Sequence, residues 1–173
     1  SDQEALEALT RSGIFVDAPD GMKPARLCPA VRRPQTDLSE GGYSASLALC
    51  ARAVIAELRA AHWIRTYQFG PLIARLASLK SSTRMRNSQD HLRACGEIAS
   101  ALSTTALIIP TRDRCLVRSI AFLQMALSRR VDAHLVFGVS VDPFAAHCWV
   151  QSGDHVLNDR YERVRAFTPI LCV

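Results

Sequence analysis

The hydrophobic period changes once in this chain, at Arg129-Arg130. Upstream, apolar residues recur at helical spacing. Downstream, Leu135, Phe137, Val139 and Val141 alternate with His134, Gly138 and Ser140, the period of a half-buried strand. Helices written first and strands after close a core by packing helices on an antiparallel sheet, so the expected fold class is α+β.

The spacing predicts helices over about 46–66 (Leu47, Cys50, Ala51, Val54, Leu58 and Ala61, with Ser44 or Ser46 as cap), 70–79, and 89–102 (Leu92, Cys95, Ile98, Ala99 and Leu102). A fourth, with Asp113 as N-cap, places Cys115 in its first turn and reaches about Ser128; it is apolar nearly all round, as suits a helix buried centrally. Strands are predicted over 135–141, 146–151 and 155–159, separated by Asp142-Pro143 and by Ser152-Gly153-Asp154, with a fourth over 168–173. Upstream, residues 3–12 read as a short helix stopped by Gly13, followed by the extended Ile14-Phe15-Val16. Prolines and glycines punctuate 17–42, which suits a linker or wrapping strand. We therefore expect an N-terminal extension over 1–42 and one domain over 43–173.

A chain of 173 residues, 49% hydrophobic, is long enough for one domain with a real core. It has no long uncharged apolar run and no basic-then-apolar N-terminus, so neither a membrane span nor a signal peptide is expected, and the cytoplasm is the default location. The six cysteines are scattered among apolar neighbours without C-x-x-C spacing, which favours reduced thiols over disulfides or a zinc site. No cofactor or metal is expected. The net charge of +5 is spread along the chain and only 6% of residues are aromatic, so nucleic acid is not an expected partner.

Within Arg112 to Arg160 stand Cys115, His147 and Asp159, the parts of a thiol catalyst. A cysteine nucleophile needs a base to make the thiolate, and the base needs a third group to fix its tautomer and ring orientation. Cys115 in the first turn of a helix sits where free N–H groups and the positive dipole end lower a thiol pKa. Cys148 adjoins His147 but points to the opposite sheet face, which argues against it as the nucleophile. Asn158 competes with Asp159 for the orienting role. Asp154, His134 and His155 are read as structural.

Hairpin register decides between Asn158 and Asp159. A three-residue loop Ser152-Gly153-Asp154 sets Gln151 opposite His155, Trp149 opposite Leu157 and His147 opposite Asp159, with Cβ atoms about 4.5–5.5 Å apart. An even loop sets Asp159 against Cys148 and transfers the role to Asn158. The odd loop is the expectation.

The segments CLVRSIAFLQMAL and VDAHLVFGVSVDPFAAHCWVQSGDHVLND resemble the B proteins of lasso-peptide biosynthesis, with Cys-Leu in a helix, a Gly-Val strand, a Pro-Phe turn, His-x-Trp-Val and an Asn-Asp ending. The resemblance covers about Arg112 to Asp159. It implies a transglutaminase-like, papain-type cysteine peptidase that removes the leader of a ribosomally made precursor before a partner cyclase closes the macrolactam ring. It implies Cys115, His147 and Asp159 as its triad. In the fused form a leader-recognition domain precedes the peptidase; LEALTRSGIFV is read as that domain's last helix and edge, so a stand-alone peptidase or a piece of the fused form is expected. The implied partners are the precursor's leader, a leader-recognition domain and the lasso cyclase. The alternatives are an amide-forming acyltransferase with the same triad and a non-catalytic, leader-presenting scaffold.

Overall fold

The computed structural model describes residues 32–38, 42–83, 91–106 and 115–173. The helix predicted over 3–12, the extended Ile14–Val16, most of 17–42, the Asp113 cap and Cys28 lie outside the described residues.

Ser46 starts the first helix: its Oγ accepts from the Leu49 N–H at 3.2 Å, and α1 runs Leu47–Thr66. Then follow α2 (Phe69–Ser81), α3 (His91–Ala106) and α4 (Cys115–Ser128). Ile120, Phe122 and Leu123 of α4 have no exposed surface, because α1 and α3 cover one side and the sheet the other. Each such side chain contributes about 1.5–3 kcal/mol by burial, so α4 is firmly held and carries Cys115 at its start.

The strands are β1 (Thr36–Asp37), β2 (His134–Val141), β3 (Phe144–Ser152), β4 (His155–Val156) and β5 (Thr168–Cys172), in spatial order β1-β4-β3-β2-β5. All neighbours are antiparallel except β1 and β4. A short helix, α5 (Tyr161–Val164), precedes β5. The fold is α+β, helices packed on a mostly antiparallel sheet. On the face away from α4, Val136, Trp149, Val156 and Val164 form a second small core with Phe167 and Cys172.

Residues 32–38, in the stretch read as linker or wrapping strand, join this sheet. Gln35 N–H donates to Asp154 O at 2.9 Å, Gln151 Nε2 to Arg32 O at 2.6 Å, and Tyr161 N–H to the Asp37 carboxylate at 2.6 Å.

The predicted three-residue hairpin loop is not what forms. Ser152 pairs with His155 and Gln151 with Val156, leaving Gly153-Asp154 as a two-residue loop. Gly153 has φ 58°, which a two-residue hairpin accepts from glycine at its first position. Ser152 stays in the strand, where His91 Nε2 and its hydroxyl lie 3.1 Å apart. The third strand is also shorter than predicted: it ends at Val156, not Asp159.

Candidate active site

Three elements deliver the candidate residues. Cys115 is the first residue of α4, His147 lies in the middle of β3, and Asp159 follows β4 where the chain has left the ladder. His147 Nε2 lies 2.5 Å from Asp159 Oδ2, an imidazole N–H donating to a carboxylate. Cys115 is the second group that raises the imidazole, and with Nε2 committed to Asp159 the nitrogen left for the thiol is Nδ1.

The even loop alone would have set Asp159 against Cys148 and given its place to Asn158. Asp159 nevertheless reaches His147, because the ladder stops at Val156 and strict alternation no longer applies beyond it. Asn158 does something else. Its Oδ1 accepts from Val150 N–H at 2.7 Å and its Nδ2 donates to Ser119 Oγ at 2.9 Å.

Electrostatics follow from these contacts. The Cys115 thiol is lowered to about 4, first by a hydrogen bond from the Cys148 thiol and next by one from His147, with the Cys148 backbone N–H adding to both against the penalty of burial. His147 is raised to about 9, chiefly by its hydrogen bond to Asp159 and then by Cys115. Burial works against the charge of Asp159, but the bond from His147 and the Arg160 N–H at 2.8 Å outweigh it and hold the carboxyl below its ordinary value. The opposite shifts of Cys115 and His147 favour a thiolate beside an imidazolium, the pair that nucleophilic thiol chemistry requires.

Cys148 is pushed far up, first by its hydrogen bond to the Cys115 sulfur and then by burial, so it stays a thiol. It is a donor to the candidate nucleophile and not a rival, a role that alternation along the strand had hidden. Cys95 is raised to about 12 by burial. The His147 ring is walled by Trp149, stacked with centroids 6.3 Å apart, and by Phe167 at 5.2 Å. Phe167 carried no sequence signal, since only the fold returns it to β3. Trp149 did, sharing a strand face with His147. His134 and His155 each pair with a neighbouring carboxylate, Asp132 at 3.9 Å and Asp154 at 2.9 Å.

Among the described residues no three His, Cys, Asp or Glu side chains are grouped to hold a metal ion. None of their helices is long and apolar enough to cross a membrane.

Residues 50–172 match the family described as the transglutaminase-like superfamily. A stretch of 48 residues is 49% identical to the microcin J25-processing protein McjB of Escherichia coli; it is 28% of this chain and 23% of that protein. The match thus spans about a quarter of the length of the curated relative. No solved structure gives a significant match.

Proposed function

The chain belongs to the transglutaminase-like superfamily, and on that premise we propose that it is the leader peptidase of a lasso-peptide pathway, with Cys115 as nucleophile, His147 as acid–base and Asp159 as orienting carboxylate. The observation that carries the chemistry is His147 held by Asp159 at its Nε2, beside a Cys115 thiol that Cys148 and His147 lower. The substrate assignment is supported by the resemblance over Arg112 to Asp159 and by the similarity to a processing protein.

The Cys115 thiolate attacks the scissile carbonyl carbon, and the tetrahedral intermediate collapses as His147 Nδ1–H protonates the departing amine of the core peptide. The leader is left as a thioester on Cys115. Water, deprotonated by the now neutral His147, attacks the thioester; the leader leaves as a carboxylic acid and the thiol is regenerated. Asp159 holds the imidazole in the tautomer that both steps need.

Residues 43–173 form the catalytic unit in this reading and 1–42 its extension. The partners are the precursor's leader, a leader-recognition domain and the macrolactam-forming cyclase, all in the cytoplasm where the precursor is made. No nucleic acid and no cofactor takes part.

Membership of the superfamily also favours a second reading, in which an amine rather than water resolves the thioester. Product mass separates the two. Incubated with precursor, the chain should yield a free leader acid and a core amine, and an added leader-recognition domain should lower the apparent KM more than it raises kcat. A condensed product would favour acyl transfer. Intact precursor with wild-type chain plus recognition domain would leave only leader presentation.

A further inference from the structure

Ser119 interrupts the apolar buried part of α4 and has no exposed surface. Its hydroxyl donates to Cys148 O at 3.2 Å and accepts from Asn158 Nδ2 at 2.9 Å, while the Cys148 thiol lies 3.9 Å away. Asn158 Oδ1 closes the chain on the Val150 N–H at 2.7 Å. Each member neighbours one candidate catalytic group. Ser119 is one helical turn after Cys115, Cys148 is next to His147, and Asn158 is next to Asp159.

The Asn158 carboxamide also decides where the third strand ends. Leu157 N–H donates to Val150 O at 2.8 Å, so in a continued ladder the Leu157 carbonyl would accept from Val150 N–H in return. Asn158 Oδ1 takes that donor instead, and the chain peels away one residue before Asp159. An undisturbed even register would have aimed Asp159 at the Cys148 side of the sheet. The departure lets it reach His147.

We propose that Ser119 and Asn158 are positioning residues, a buried hydrogen-bond strut from α4 to β3 to the segment after β4 that sets Cys115, His147 and Asp159 in register. The strut rests on the thiol-catalysis reading, and its hydrogen bonds run between protein groups. Removing either end leaves buried polar groups unpaired and frees the three elements to shift against each other. Displacement on the order of 1 Å costs about a hundredfold in rate.

The test uses the full chain and needs no precursor. The rate of iodoacetamide alkylation of Cys115 is followed from pH 3 to 9, with thermal unfolding as a check, in wild type, Ser119→Ala, Asn158→Ala, their double variant and Ser119→Thr. Wild type should react well below the ordinary thiol value of 9.0. Ser119→Ala and Asn158→Ala should stay folded but move the acid limb upward by about one pH unit or more, with their effects in the double variant less than additive, as for members of one network. Ser119→Thr, which keeps the hydroxyl, should restore the limb. Folded variants with the wild-type limb would overturn the proposal, as would loss of the fold in both, which would make the strut plain framework. A wild-type Cys115 titrating near 9.0 would sink the thiolate reading itself, and the strut with it.

Discussion

Gly138 stands directly across from His147 in the β2–β3 ladder, beside an irregularity between Phe137 and Gly138 in the pairing with β5. A Cβ there would lie 2.8 Å from Trp149 Cζ3, 2.9 Å from Trp149 Cη2 and 3.0 Å from Phe167 Cβ. None of these is the loose end of a flexible chain. Trp149 has no exposed surface, and its indole N–H is committed to Gln151 Oε1 at 3.1 Å, so the ring yields only by straining that bond. Overpacking of this kind costs about 1–3 kcal/mol. In a chain of this size each kcal/mol lowers Tm by about 2–4 °C, so Gly138→Ala should melt roughly 2–12 °C below wild type. The displaced rings are those that wall His147, and a shift on the order of 1 Å costs about a hundredfold in rate. The expected result is therefore a paired loss, a lower Tm and a kcat reduced about ten- to a hundredfold with KM little changed, read by thermal unfolding and by precursor cleavage. Wild-type Tm and kcat in Gly138→Ala would refute the claim that Trp149 and Phe167 fix the imidazole.

Cys115→Ala and His147→Ala should each abolish cleavage without unfolding the chain, and the double variant should be no worse than either, because the two act as a unit; cleavage surviving in one of them contradicts the mechanism. The thiolate of Cys115 is lost as pH falls through about 4, and the imidazolium of His147 as pH rises through about 9. A plot of kcat/KM against pH should fall on both sides of that window, and Asp159→Asn, which removes the chief cause of the raised His147 value, should draw the alkaline limb downward. An alkaline limb that stays put would detach Asp159 from His147. At pH 5 brief iodoacetamide treatment should label Cys115 before Cys95 or Cys148: an ordinary thiol of 9.0 is only about one part in ten thousand thiolate there. The lower basicity of Cys115 takes back about 2–2.5 orders of magnitude of reactivity, leaving an advantage of about 30–100-fold. Equal labelling of the half-buried Cys115 and the buried Cys95 and Cys148 would contradict the lowered Cys115 thiol.

The helices were legible because periodicity is a local signal and these are long enough to show it. Leu47–Thr66 and Cys115–Ser128 lie within a residue or two of the predicted spans. Thr36–Asp37 and Tyr161–Val164 were not, since two and four residues are too few to show a period. The hairpin was misread for a different reason. Ser, Gly and Asp are all turn formers, and the contact that Ser152 makes from the strand is with His91, 61 positions away. The contact between His147 and Asp159 was foreseen through the wrong register. It arises from Asn158, whose side chain replaces a backbone acceptor, an exchange that composition and alternation do not encode. Ser119 carried one faint signal, a hydroxyl four residues after Cys115 on an otherwise apolar helix, but its partners come from β3 and beyond.

The most direct test of thiol catalysis is to mix the chain with precursor and its recognition domain, quench in acid within one turnover, and take the mass of the intact protein. A Cys115 mechanism predicts a transient adduct equal to the leader joined as a thioester, mapped to the peptide that contains Cys115 and absent from Cys115→Ala. Cleavage that proceeds with no adduct at any quench time, and persists in Cys115→Ala, would contradict it.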